Sequence, residues 1–315
     1  MRLLKRLNLQ FISMSLFLVT FSACDKRMDE QVQPVKLSIA GKLATSADFS
    51  LIQAAVVQSG LQNLLDSPGS YTFFAPSNGA MLASGMTLEQ IKSTPASQLR
   101  KMITYHLLPI RLFLNDFKTN VYYNEITIGG DTAFVIKNDQ GLFVNGIKIE
   151  QTDLLQKNGI IHSTSLLLKP ANGDLIEVVS EDTSLSMFHA ALLRTANGGT
   201  DLTNALVCGC KFTLFAPTNS AFKFAGYPDA ISIENADYKK IVALLSYHIS
   251  KERVFASDWT NQMAIHMING RNIQIIENGN QMMIKGSANL SPIKVLKFNT
   301  MAHHGVIHTI ERILE

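Results

Sequence analysis

Histidine is the side chain in this sequence best suited to chemistry, because its ring changes charge near neutral pH and its nitrogens bind metals. Four of the 8 histidines stand in two matched settings: His106 and His248 each follow a tyrosine, Tyr105 and Tyr247, while His162 and His308 close the phrases NGIIH (158–162) and HGVIH (304–308). His303 and His304 lie just ahead of the last of these. A zinc site wants three or four converging donors. Only the second half of the chain has such a cluster, and no pair of carboxylates or cysteines joins it, so no metal and no cofactor is expected. Cys208 and Cys210, in CGC, form the other reactive pair. On an extended strand they would share a face with Cβ atoms too far apart for the roughly 3.5–4.5 Å of a disulfide, although Gly209 allows a tight, strained bridge. In the oxidising surroundings of an exported chain, a strained disulfide and a pair of buried thiols both stay open, and neither implies catalysis. Ser77 and Thr218 occupy like places with no base beside them, and the chain has no G-x-S-x-G elbow, no G-x-x-x-x-G-K-[ST] loop and no H-E-x-x-H pair. The expectation is a protein that is not an enzyme.

The elements holding these residues come twice. YTFFAPSNGAM (71–81) and FTLFAPTNSAF (212–222) are nearly the same phrase at an offset of 141. In each, a short aromatic and apolar run fits a buried strand. Pro76 or Pro217 stops it, having no N–H for a ladder and a fixed φ, and Ser77 or Thr218 follows as the N-cap of a helix. The phrase is therefore a strand-to-helix corner. Upstream, FSLIQAAVVQSGL (49–61) reads as a short amphipathic helix ended by Gly60. Downstream, Leu99, Met102, Ile103 and His106 fall at i, i+3, i+4 and i+7, and Ile241, Leu244, Leu245 and His248 repeat that spacing 142 residues on. Both histidines thus lie on an apolar helix face, where a core histidine hydrogen-bonded locally at the helix end is expected. Strand-like stretches follow, NEITI (124–128) and FVIKN (134–138) in one copy and RNIQIIENGN (271–280) and QMMIKG (281–286) in the other, with Gly129-Gly130 and Asn278-Gly279 as hairpin turns. Helices in front of several strands make each copy an α+β unit.

The repeat divides the chain into 36–170 and 171–315, joined at LKPANGD (168–174), whose Pro, Asn and Gly suit a linker. Ahead of them, residues 1–23 carry Arg2, Lys5 and Arg6, then an apolar run from Phe11 to Phe21, then FSAC. That is the layout of a secretory signal peptide, and Cys24 after small residues resembles the lipobox of a bacterial lipoprotein. Residues 24–35 would be a lipidated tether. The apolar run is about half the roughly 20 residues of a spanning helix, so a transmembrane anchor is not expected. Asp25 would favour inner-membrane retention under the sorting rules of some envelopes, set against an outer-membrane or surface address.

Removing residues 1–23 also changes the charge. The whole chain has 28 Lys+Arg and 25 Asp+Glu, giving +3, and Arg2, Lys5 and Arg6 account for that excess. The remainder is neutral and shows no basic stripe, which excludes nucleic acid as a partner.

TFFAPSNGAM and TLFAPTNSAF, each followed by an amphipathic helix ending in Tyr-His, with NGIIHSTSLLL and HGVIHTIERIL at the ends, resemble the fasciclin, or FAS1, domain. The resemblance covers nearly all of 36–315 as two tandem domains. It implies, for each, a wedge-like β-sandwich of about seven strands packed with several helices. It also implies an extracellular or membrane-anchored protein of cell adhesion and matrix or glycoconjugate contact, without an enzymatic role. The Tyr-His pair is linked to adhesion in animal members, which makes Tyr105, His106, Tyr247 and His248 binding candidates. The readings carried forward are a lipid-anchored envelope adhesion protein contacting a cell surface, matrix or polysaccharide; an accessory glycan-capture lipoprotein of an outer-membrane uptake system; and a structural envelope spacer. A binding face of aromatic residues would draw on Trp259, Tyr122 and Tyr123. Two linked sites would raise avidity without any new contact.

Overall fold

In the computed structural model the described residues are 36–315 apart from 198, 208 and 280. The expectations attached to the signal segment, to lipidation at Cys24 and to Cys208 fall outside them, and Cys210 is exposed.

The first repeat runs α1 (Ile39–Thr45), α2 (Ser50–Gln58), α3 (Gln62–Asp66), β1 (Tyr71–Pro76), α4 (Asn78–Ala83), α5 (Leu88–Ser93), α6 (Ala96–Tyr105), β2 (Leu107–Leu108), β3 (Tyr122–Ile126), β4 (Thr132–Asn138), β5 (Gly141–Val144), β6 (Ile147–Gln156) and β7 (Gly159–Thr164). The second follows with α7 (Leu175–Glu181), α8 (Ser186–Ala196), α9 (Leu202–Leu206), β8 (Phe212–Pro217), α10 (Asn219–Phe224), α11 (Ala230–Glu234), α12 (Tyr238–Ser246), β9 (Ile249–Ser250), β10 (Ala264–His266), β11 (Asn272–Asn278), β12 (Gln281–Lys285), β13 (Ile293–Ala302) and β14 (Gly305–Ile310).

Each repeat is α+β with seven strands, ordered β2-β1-β7-β6-β5-β4-β3 and β10-β11-β12-β13-β14-β8-β9. The repeated phrase does form the expected corner. β1 ends at Pro76 and the Ser77 hydroxyl accepts from the Ala80 N–H at 3.1 Å; Thr218 does the same for Ala221 at 3.3 Å. What periodicity alone did not reveal is the partner of that strand. β1 lies parallel to β7, with Phe74 opposite His162, and β8 lies parallel to β14, with Phe215 opposite His308. The phrases G-[IV]-I-H are therefore central strands in their own right, buried along their whole length.

The wedge comes from the long strands β6 and β13. Residues 147–148 of β6 pair with β5, and residues from Ile149 on pair with β7 across two register shifts, so one strand passes from one sheet to the other. Such bulges bend a strand by leaving residues out of the ladder. Asp153 (φ 61°) and Asn299 (φ 56°) sit at these bends in the left-handed region that Asp and Asn tolerate better than other side chains. Two apolar clusters result in each repeat. In the first, Ile52, Val56, Leu99, Ile103 and Ile161 join helices to one face of the sheet, while Phe74, Tyr105, Phe117, Val135 and Leu142 fill the wedge. Full burial of each such side chain contributes about 1.5–3 kcal/mol.

Candidate functional site

The Tyr-His pairs end α6 and α12 inside the core. Tyr105, His106, Tyr247 and His248 are all within 2% of complete burial. His106 Nδ1 lies 2.8 Å from the Met102 carbonyl, so it must carry the proton and donate; its Nε2 then accepts from the Leu168 N–H at 3.0 Å. His248 repeats this with the Leu244 carbonyl at 2.8 Å and the Leu314 N–H at 3.0 Å. Each ring ties a helix end to the segment that leaves the last strand of its repeat. Burial pushes both imidazoles down to about 4, so they are neutral at physiological pH. The phenols are engaged too. Tyr105 accepts from Asn145 Nδ2 at 2.7 Å and donates to the Thr132 carbonyl at 3.3 Å. Tyr247 donates to the Asn272 carbonyl at 2.8 Å and accepts from the Ser287 N–H at 2.9 Å. Each pair serves its own repeat, and none of the four rings presents a face to a ligand.

His162 and His308 use the opposite tautomer. Nε2 of His162 is 2.8 Å from the Leu112 carbonyl, and Nδ1 accepts from the Asp153 N–H at 3.2 Å. Nε2 of His308 is 2.9 Å from the Val254 carbonyl, and Nδ1 accepts from the Asn299 N–H at 3.4 Å. These rings fasten the strand bend to the loop after β2 or β9, stacked on Phe74 at 5.9 Å and Phe215 at 5.4 Å. Burial lowers His162 and takes His308 to about 4. His303 and His304 stand with ring centroids 6.4 Å apart, and their carbonyls accept from Arg253 and from the Phe212 N–H. Among the described residues no group of three or more His, Cys, Asp or Glu is placed to hold a metal.

The aromatic face expected from Trp259, Tyr122 and Tyr123 does not exist as such. Trp259 is 1% exposed, packed against Phe215, Phe298 and His308, because it fills the wedge of the second repeat. Tyr123 packs edge-on against Phe117 and its hydroxyl meets the Lys118 N–H and the Asp116 carbonyl. Tyr122 belongs instead to the seam between the repeats.

That seam joins β3, β4 and the Asn145-Gly146 turn of the first repeat to residues 253–258 of the second. The Arg253 guanidinium lies 4.0 Å above the Phe134 ring, a cation–π contact strengthened by partial desolvation. The Tyr122 hydroxyl donates to the Asp258 carboxylate at 2.5 and 2.6 Å, Asn138 Nδ2 donates to the Ser257 carbonyl at 2.8 Å, and Asn299 Nδ2 donates to the Gly146 carbonyl at 3.3 Å. Phe255 packs between Tyr122 and Phe134, at 6.1 and 6.0 Å. Burial raises both the Tyr122 phenol and the Asp258 carboxyl. Gly146 is required twice over: its φ is +73°, and a Cβ there would collide with the Asn299 side chain and sit 3.0 Å from Phe255 Cβ. The one sequence signal for this seam is the R-x-F-x-x-D pattern shared by RLFLNDF (111–117) and RVFASDW (253–259).

Beside the seam lies a cleft of about 870 Å³. Lys148, Lys169 and Lys297 line it with Glu181 and Asp182, and Leu166 and Phe298, each 41% exposed, form apolar ground. Lys297 pairs with Asp182 at 3.5 Å; among the described residues Lys148 and Lys169 have no carboxylate partner. A cleft of this size with an apolar floor and a few convergent polar groups suits a bound ligand.

No helix among the described residues is long and apolar enough to cross a membrane. The chain resembles human periostin, 31% identical over 159 residues, which are 48% of this chain and 19% of the relative. It also resembles the pig transforming growth factor-beta-induced protein ig-h3, 26% identical over 293 residues, covering 91% of this chain and 39% of the relative. It thus spans less than half the length of these relatives. A solved FAS1 domain pair from the insect cell adhesion molecule fasciclin I aligns over 84% of this chain and 96% of its own, with 17% identity and a TM-score of 0.42. The fasciclin domain model matches twice, over residues 47–170 and 185–315, and the chain accordingly belongs to the fasciclin domain family as a tandem pair.

Proposed function

We propose that this protein is a non-enzymatic adhesion or binding protein of a cell envelope, anchored by lipid at Cys24 and using its two domains, divided as 36–170 and 171–315, to contact a cell surface, matrix or polysaccharide. The observation that carries the reading is the open cleft beside a closed seam. The seam holds the two domains in one register, and the cleft it creates offers lysines, carboxylates and apolar side chains to the outside. The groups best able to do chemistry are spent elsewhere: all four matched histidines are buried, neutral and hydrogen-bonded on both ring nitrogens. The role of Tyr105, His106, Tyr247 and His248 is therefore to fix the core beneath the binding face. The lysines in the cleft also favour a second reading, capture of polysaccharide beside an uptake channel.

The test is protease treatment of intact cells expressing the chain, beside a Cys24→Ala variant. Digestion of the wild type, with release of the variant into the medium, supports the anchored surface reading and directs work to glycan and adhesion arrays. Protection from the protease sinks adhesion and points to partners inside the envelope.

A further inference from the structure

The first domain carries a second copy of the socket that seats the two domains together. In the second domain the socket is a loop fixed from below. The Val254 N–H donates to Thr213 Oγ1 at 2.9 Å, the Phe255 N–H donates to Asp258 at 2.8 Å, and Arg253 reaches the His303 carbonyl at 3.4 Å. The first domain reproduces each contact. The Leu112 N–H donates to Thr72 Oγ1 at 2.9 Å, the Phe113 N–H to Asp116 at 2.7 Å, and Arg111 reaches the Lys157 carbonyl at 3.5 Å. In both copies the arginine Nε is buried and has no partner. The difference lies in what this chain itself packs on each copy. Arg253 lies under Phe134 and Asp258 under the Tyr122 hydroxyl, whereas among the described residues Arg111 lies under no ring, and Asp116 stays exposed.

We propose that the Arg111–Phe113–Asp116 loop docks the β-hairpin face of a fasciclin-fold domain from another chain. Such a face would present an aromatic ring to Arg111 and a hydroxyl to Asp116, as Phe134 and Tyr122 do inside this chain. The contact is head-to-tail, so a second socket extends the assembly and does not close it.

One substitution selects the occupant. Asn299 bridges the seam, its Oδ1 accepting from the Ala256 N–H at 2.9 Å and its Nδ2 donating to the Gly146 carbonyl. In the first domain Asp153 takes that place and accepts from the Leu114 N–H at 2.9 Å, but a carboxylate has no proton to give a carbonyl. The chain's own Asn-Gly turn would bring its carbonyl against that charge. The socket therefore disfavours a second copy of this chain and favours a turn that offers a donor, an N–H or a basic side chain. The second domain is also a poor source of the face: Gln274 stands at the position of Phe134, and the loop at 286–292, carrying Leu290 at 99% exposure, replaces the two-residue turn.

The test uses the chain's own face as the probe. A full-length donor, Arg253→Glu/Asp258→Arg/Arg111→Glu, frees that face while destroying both sockets, and is titrated onto full-length acceptors in sedimentation velocity and calorimetry. The expected result is a one-to-one complex with the Asp153→Asn acceptor. Binding to wild type should be about tenfold weaker, for want of one hydrogen bond at a charged site, and lost when Arg111→Glu is added to the Asp153→Asn acceptor. No complex with the Asp153→Asn acceptor, or a complex indifferent to Arg111→Glu, overturns the socket; equal binding to wild type overturns the selection by Asp153.

Discussion

The two domains agree where each closes its own core and differ where they face each other. His106 and His248 match in tautomer, partner type and distance, as do His162 and His308. Around the seam the pairs part company: Asp153 against Asn299, Leu114 against Ala256, and a two-residue Asn-Gly turn against a loop at 286–292. A duplicated fold has one set of internal obligations, met identically, and two different exteriors. Most side chains shared by the copies report on packing; the R-x-F-x-x-D loop is shared as well but makes the seam in only one copy, and the unshared residues around it report on what each copy touches.

The largest expected effect tests the first half of that statement. His106→Ala and His248→Ala each remove a ring and strand a buried carbonyl and N–H, for about 3–5 kcal/mol apiece. Chemical denaturation should find the two costs alike. A loss in one domain several times that in the other would break the equivalence.

Acid acts on all four rings together. Their folded values lie below that of a free imidazole, so the unfolded chain binds protons first and stability falls as pH drops below about 6.5. For His106, His248 and His308 the fall runs towards 4 and flattens below. Each of His106, His248 and His308 contributes on the order of 3 kcal/mol to that fall. Asp258, whose carboxyl is raised by burial, gains protons on folding and works in the opposite direction. Asp182, lowered despite the opposing effect of burial by its Ser184 hydrogen bonds and Lys297, adds its loss only near and below its ordinary carboxyl range. Denaturation midpoints that stay level from pH 7 to 4 would contradict neutral buried imidazoles.

The seam should respond more weakly and without unfolding either core. Gly146→Ala is expected to cost about 1–3 kcal/mol through left-handed strain and overlap with Asn299, and to enlarge the radius of gyration in X-ray scattering. Tyr122→Phe should lose about 1.5–3 kcal/mol, the value of a hydrogen bond to a charged acceptor. A double-mutant cycle with Asp258→Asn separates that pair from the rest of the seam. Smallest of all, Lys297→Ala removes an ion pair whose lysine side chain is 57% exposed, and less than about 1 kcal/mol should follow in thermal melts.

Much of the fold was legible because its signals are local. Pro76 after an aromatic run, Ser77 as a cap, Gly60 after an amphipathic helix and the i, i+3, i+4, i+7 spacing before His106 each describe a few neighbouring residues. The parallel pairing of β1 with β7 was not legible, since nothing near Phe74 names a partner some ninety residues away. Trp259 misled for a related reason: a large aromatic reads as surface contact or as core with equal ease until the wedge around it is known. The seam escaped because its residues do separate jobs in sequence. Tyr122 alternates along a strand, Gly146 turns a hairpin, and only their meeting with Arg253 and Asp258 makes an interface.

The placement of β7 also has a consequence for biogenesis. Each domain's central parallel pair joins an early strand to its last one, so closing the sheet must wait until nearly the whole domain is available, and folding dominated by such distant pairings is slow. A chain emerging from a ribosome cannot complete the first domain before residue 164, nor the second before residue 310. A sheet that its last strand must complete is a built-in delay: each domain sets only once its own closing strand has arrived.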